Sequence, residues 1–170
     1  STVNLKKSGA WNYTKDPQAE LLCFAPSIDG KCLPLWLPGD PLPMDWFAAV
    51  YGSQHFAVAY NWFFEYSVFN NIMVRQLDLH TVCKQFGVES PYLPVNKFDC
   101  AMARARTFGL PSQLLQVTQA LGIDFSKEKD YLTVTKPRKP SKLNTAVRWL
   151  PDTNPEGFQK LYDQCVNDEW

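Results

Sequence analysis

The chain has 170 residues, 17 Lys and Arg against 17 Asp and Glu, 45% hydrophobic residues and 13 prolines, enough chain for one domain that buries about two-thirds of its unfolded surface. Zero formal net charge and a pI near 6.7 exclude a globally basic nucleic-acid coat and an acidic tail, so any charge-driven contact has to come from a local patch. No apolar run approaches the roughly 18 residues of a membrane span, and the first seven residues lack the apolar stretch of a signal peptide, so the expectation is a cytoplasmic protein with no membrane partner.

In chain order, the apolar run over 21–25 and the alternating stretch over 31–37 predict two strands, with Asp29-Gly30 as the hairpin turn between them. Pro38-Gly39-Asp40-Pro41 breaks the chain, and a short helix follows over 44–51, closed by Gly52. Residues 55–60 read as a strand. From 61 to about 74 the pattern turns helical, and at about 100° per residue Asn61, Glu65, Val68, Phe69 and Ile72 share one face, which predicts that an amide and a carboxylate sit on the buried side.

Two more helices are predicted over 99–108 and over 112–121, the second opened by Ser112 and closed by Gly122. The stretch 127–148 carries seven basic side chains against two acidic ones, and prolines 137 and 140 predict an extended excursion. The last helix opens at Asn154-Pro155-Glu156, a cap, a first-turn proline and a first-turn acid. Its apolar stripe is Phe158, Leu161, Tyr162 and Cys165, with Asp168 about 80° to one side of it. Strands followed by helices, some of them paired antiparallel, predict an α/β layer fold around a mixed sheet, all of 1–170 forming a single domain. The five cysteines, Cys23, Cys32, Cys83, Cys100 and Cys165, form neither a CxxC nor a zinc-spaced Cys/His pair, sit in apolar surroundings and read as reduced, mostly buried thiols. A Cys23–Cys32 pairing across the hairpin is the disfavoured alternative without a secretory signal.

Glu65 and Asp168 are two carboxylates that sheet and helices could bring together, and oxygen-rich sites of this kind attract Mg²⁺ or Mn²⁺. The competing reading is hydrogen-bonded structure. The basic excursion could track a DNA backbone or remain a solvated loop. Trp62, Phe63, Phe64 and Tyr66 could stack unpaired bases, although aromatics at helical spacing are more often core. His55 and His80 have no catalytic partner in the sequence and read as structural.

At these residues a resemblance becomes specific. Ala59-Tyr60-Asn61-Trp62-Phe63-Phe64-Glu65 resembles the second motif of the DEDD-type 3′–5′ exonuclease domains of phage-type family A DNA polymerases. Tyr162-Asp163-Gln164-Cys165-Val166-Asn167-Asp168 resembles their third motif. Phe98-Asp99-Cys100-Ala101-Met102-Ala103, Phe108-Gly109-Leu110-Pro111 and Lys136-Pro137-Arg138-Lys139-Pro140 follow the same proteins in order, so the similarity runs from about Asn4 to Asp168. It implies a ribonuclease H-like exonuclease fold with Mg²⁺ or Mn²⁺ held by Glu65 and Asp168, and Asn61 supporting substrate or sheet. Lys136, Arg138, Lys139 and Lys142 would lie along DNA.

The first motif of that family, an aspartate-x-glutamate pair on the first strand, would fall just before Ser1, so the first strand is expected to be missing or replaced. Tyr60 stands where the family has histidine, and Gln164 where it has the tyrosine that positions the attacking water. Two functions follow as expectations. The first is a catalytically impaired, phage-encoded module that binds a DNA 3′ end or a host or phage protein, as an inhibitor or accessory factor in the bacterial cytoplasm. The second is an active exonuclease whose missing carboxylates come from residues or a chain outside this sequence.

Overall fold

A computed structural model describes residues 5–52, 55–123, 125, 132–135 and 149–167. Helix α1 (Leu5–Lys15) is kinked at Gly9, whose φ of 74° is accessible to glycine at little cost. Strands β1 (Ser27–Ile28) and β2 (Lys31–Cys32) pair antiparallel with Ser27 opposite Cys32. Between them Asp29 and Gly30 both have positive φ, 50° and 76°, the tight hairpin turn that Asp-Gly favours. The expected strands over 21–25 and 31–37 are shorter than their apolar patterns. Beyond β1 and β2 only Phe24 and Trp36 exchange ladder bonds, at 3.0 and 2.8 Å, because Pro26 and Pro34 lack the amide a continuous ladder needs.

Helix α2 (Met44–Tyr51) falls where its pattern put it. Strand β3 (Ala57–Ala59) pairs in parallel with β4 (Phe98–Cys100), Val58 opposite Asp99. Asp99 and Cys100, expected to open the helix over 99–108, are therefore strand with Phe98, and helix α6 (Ala101–Thr107) begins only after them. Among the described residues the sheets are thus two separate two-stranded ribbons, one antiparallel and one parallel, in place of the single mixed sheet expected. The α/β composition stands.

The central element is the helix that starts at α3 (Trp62–Val68), widens into a π turn over Phe69–Met73 and continues as α4 (Val74–Gln76). A π turn holds an extra residue and rotates everything after it relative to a uniform helix. Phe69, Asn70, Ile72, Met73 and Val74 are all buried there, whereas Ser67 is the buried residue of α3. The core closes on this turn: Phe47, Val50 and Tyr51 of α2, Leu79, Val82 and Cys83 of α5 (Leu79–Gln85), and Leu93 pack with Phe69, Met73 and Val74. Trp46 meets Phe24 edge-on at 4.7 Å, which ties the hairpin to α2.

Polar side chains of this helix reach out to irregular chain on both sides. Asn70, 6% exposed, donates to the Leu93 carbonyl at 3.1 Å and accepts the Leu93 amide at 2.9 Å. Gln76 does the same with Leu21, at 3.1 and 2.8 Å. Asn71 donates to the fully buried Thr14 hydroxyl at 2.9 Å, and Arg75 donates to the Ala19 carbonyl at 2.6 Å. Each amide side chain replaces one rung of a ladder where no strand is available.

Helix α7 (Leu114–Ala120) starts after Gln113 and not at Ser112, and ends at Gly122 with φ 69°. Helix α8 (Leu132–Thr135) is a helical turn inside the stretch expected to be extended. It packs on α9 (Pro155–Asn167) through Val134, Phe158 and Leu161, with Leu22, Cys23, Trp149 and Tyr162 around them. Gly157 makes that contact possible, since a Cβ there would lie 2.7 Å from Val134. The Asn154 side chain caps α9 by accepting the Gly157 amide at 3.1 Å. All five cysteines are free thiols, but against expectation only Cys83 is buried, with Cys32 exposed and the other three half-buried; the neighbouring Cys165 and burial push the Cys23 thiol's pKa up, and Cys32 pairs in the ladder with Ser27.

Asn70→Ala leaves the buried amide and carbonyl of Leu93 without their partner, so it is expected to destabilise the protein by about 2–3 kcal/mol. The expected signature is a lower urea midpoint with an unchanged m-value.

Candidate functional site

The candidate site lies where β3 gives way to α3. The parallel β3–β4 pair ends at Ala59 and Cys100, and Tyr60 continues the junction by accepting the Met102 amide on its carbonyl at 3.1 Å. Asn61 follows as the N-cap residue of α3, with φ −126° and ψ 71° and its side chain making no cap bond. One turn later comes Glu65. Contrary to the expectation of a buried face, Asn61 and Glu65 are both exposed, while Phe69 and Ile72 of the same stripe are buried. The stripe is real, but the helix plunges into the core only from its π turn onward, so position along the axis decides burial.

Glu65 is on the accessible surface, yet the protein crowded around its carboxyl withdraws part of its hydration and pushes its pKa up, an effect a bond from its own backbone offsets in part. With so much of the side chain in water the energetic consequence is small. Trp62, Phe63 and Tyr66 join Trp11 and Phe98 in an aromatic cluster, with Tyr66 against Phe98 edge-on at 5.4 Å and stacked on Trp11 at 6.1 Å. Phe63 is 43% exposed, so the cluster is core on one side and surface on the other.

Tyr60 carries a buried hydroxyl with no hydrogen-bond partner among the described residues. Burial raises its pKa, and the Arg106 charge nearby lowers it in part. On the same helix Arg104 forms a two-pronged pair with Asp99, Nε to Oδ1 at 3.1 Å and a second bond from its terminal nitrogen. Arg104 and Arg106 are exposed and stand on α6, which packs against β3. Sequence reasoning passed over both. Two arginines two residues apart, directly after a strand, were the available signal.

Asp168, Lys136, Arg138, Lys139 and Lys142 lie outside the described residues. Gln164, at the position that the resemblance equates with a water-positioning tyrosine, is 4% exposed, on the inner face of α9 with Phe158 and Leu161. The main contacts of α3 are with α1, the π turn, β3 and β4. Among the described residues no three His, Cys, Asp or Glu side chains are grouped to hold a metal ion. His55 comes within 3.8 Å of Asp29 at the surface, a contact of little energetic weight. No helix among the described residues is long and apolar enough to cross a membrane.

In sequence the chain is 33% identical, over 178 aligned positions, to a DNA polymerase of Bacillus phage SP02. The chain is of DNA polymerase-related origin. The match covers 99% of this chain but 24% of that polymerase, so the chain spans about a quarter of its relative's length. No protein-family model matches it, and no solved structure matches it.

Two substitutions test the electrostatics at the junction. Tyr60→Phe removes a buried hydroxyl that has no hydrogen-bond partner among the described residues and is expected to raise stability by about 1 kcal/mol, read as a higher denaturation midpoint. Glu65→Gln tests the raised carboxyl pKa. A carboxyl whose pKa is higher folded than unfolded costs stability as pH rises through that folded value. Glu65→Gln is therefore expected to melt slightly above the parent at pH 7 and to match it near pH 3, where both states are protonated.

Proposed function

We propose that this chain is an exonuclease-like module of ribonuclease H-like architecture, related to the proofreading part of phage DNA polymerases. In this reading it binds the single-stranded 3′ end of DNA with little or no hydrolysis of its own. The observation that carries the reading is the alignment along 99% of the chain with a phage DNA polymerase, together with the motif order from Tyr60-Asn61 to Asp168. DNA would lie along the exposed aromatic edge at Phe63 and past Arg104 and Arg106, and the basic residues Lys136, Arg138, Lys139 and Lys142 would add phosphate contacts. Phosphate contacts of this kind are charge-driven and independent of sequence.

Impaired hydrolysis is favoured by two side chains. Gln164 is buried where the family uses a tyrosine to position water, and the Tyr60 hydroxyl is turned into the protein where the family has histidine. The exposure of Asn61 and Glu65, one turn apart at the start of α3, favours a second reading, an active Mg²⁺- or Mn²⁺-dependent exonuclease. Glu65 and Asp168 would then be ligands, and the remaining carboxylates would come from residues or a chain outside these 170.

Digestion of a 3′-labelled single strand separates the two. The binding module is expected to release no nucleotide with either metal while still shifting the strand in a gel at low salt. Metal-dependent release that disappears in both Asp168→Ala and Glu65→Ala would establish the active enzyme. The triple variant Lys136→Ala, Arg138→Ala, Lys139→Ala is expected to weaken the shift and to flatten its salt dependence by about one unit of log–log slope for each phosphate that is no longer neutralised. Absence of any shift from a folded chain would point to a host or phage protein as the partner.

A further inference from the structure

A second concave site lies away from the β3–α3 junction, on the outer side of the π turn. It is a cleft of about 440 Å³ lined by Lys15, Asn71, Arg75, Asp78, His80 and Tyr92, with Asn70 and Val74 behind them. This volume is within the range of small-ligand pockets. The elements that form it are fixed independently of one another. Asn71 is held by Thr14 at 2.9 Å and Asn70 by both backbone groups of Leu93, and Arg75 is held by the Ala19 carbonyl at 2.6 Å. The ends of α1, the π turn and the segment at Tyr92 are thereby tied into one wall.

The chemistry of the wall divides in two. Lys15 and Arg75 bring two positive charges; the Lys15 ammonium lies over the Trp11 ring, 4.8 Å from its centroid, with its N–H donors available to an anion beside it, and Arg75 spends one of its five N–H donors on Ala19. Against them stands one carboxylate, Asp78, which already accepts the Thr81 hydroxyl at 2.7 Å. Asp78 is also one of two non-glycine residues with positive φ among the described residues, at 47°, the kind of backbone strain that persists at binding sites when the surroundings hold it. The other part of the wall is aromatic: His80 and Tyr92 meet edge-on at 6.1 Å, and Tyr92 is 53% exposed. An amide, Asn71, lies in the same cleft and can read a hydrogen-bonding edge. A π turn at the base fits this picture, since π turns recur at functional sites.

We infer that this cleft is a nucleotide site, with Lys15 and Arg75 on a phosphate, and Tyr92 with His80 against a base. The choice of a nucleotide over other phosphorylated ligands rests on the DNA-binding reading above; the cleft itself does not. The nucleotide can be a unit of a bound strand or a free mononucleotide, since both present one phosphate and one base.

Calorimetric titration of the full chain with dTMP, thymidine, inorganic phosphate and a ten-residue oligothymidylate tests the site. The variants are Lys15→Ala and Tyr92→Ala, both at exposed positions, each checked for folding by circular dichroism. The expected result is that dTMP binds more tightly than thymidine or phosphate and is weakened about tenfold by either variant. If the oligonucleotide binds more tightly than dTMP and loses affinity in both variants, the ligand is a strand. If the oligonucleotide is no tighter than dTMP, it is a free nucleotide. Binding of dTMP that neither variant moves, binding of phosphate as tight as that of dTMP, or no dTMP binding would overturn the site. The DNA-binding reading fails separately, when the folded parent chain binds no oligonucleotide.

Discussion

The structure depends on the side chains with which one helix clasps the backbone on either side of it. Asn70 and Gln76 each make a reciprocal pair with a backbone amide and carbonyl, at Leu93 and Leu21, while Asn71 and Arg75 hold Thr14 and Ala19. The segments so held are irregular, and their buried polar groups would otherwise lack partners. In a larger sheet neighbouring strands would supply those partners. Here, where strands run two or three residues, one helix supplies them laterally. The apolar core from α2 and α5 then closes over the same turn.

The clasp explains why the helix is not uniform. Its first two turns, from Trp62 to Val68, leave Asn61, Phe63 and Glu65 in contact with solvent, whereas the π turn is buried almost all round. The widened turn brings Asn70 and Asn71 to opposite tasks, one inward on Leu93 and one toward α1. One element therefore serves three regions: a surface at its N-terminal end, a core at its centre, and a cleft on its outer side.

The functional reading follows from that division. The exposed end of α3, the arginines of α6 and the half-exposed aromatic cluster form a surface suited to a nucleic-acid strand. The cleft beside the π turn combines positive charge with two aromatic rings set edge to face. Binding a strand needs charge and stacking, while cutting one needs several carboxylates held together.

Local signals were legible in the sequence by themselves. Asp29-Gly30 specified a hairpin turn because few pairs tolerate two positive φ angles, and Asn154-Pro155-Glu156 specified the start of α9 because cap, proline and acid each suit a helix N-terminus. The helix over 44–51 and the motif spacing around Asn61 and Glu65 were likewise readable. Tertiary structure alone decided how far each strand extends, because prolines break ladders according to which neighbour is present. It also decided that residues 98–100 join a parallel pair, since β4 forms only when β3 lies beside it. The burial of Asn70 and the exposure of Asn61 and Glu65 belong to the same class: periodicity reports which residues share a face, whereas depth depends on where along its axis a helix enters the core. The cleft was hidden for a similar reason. Lys15, Arg75 and Tyr92 come from distant parts of the chain, and no spacing rule links side chains that only packing brings together.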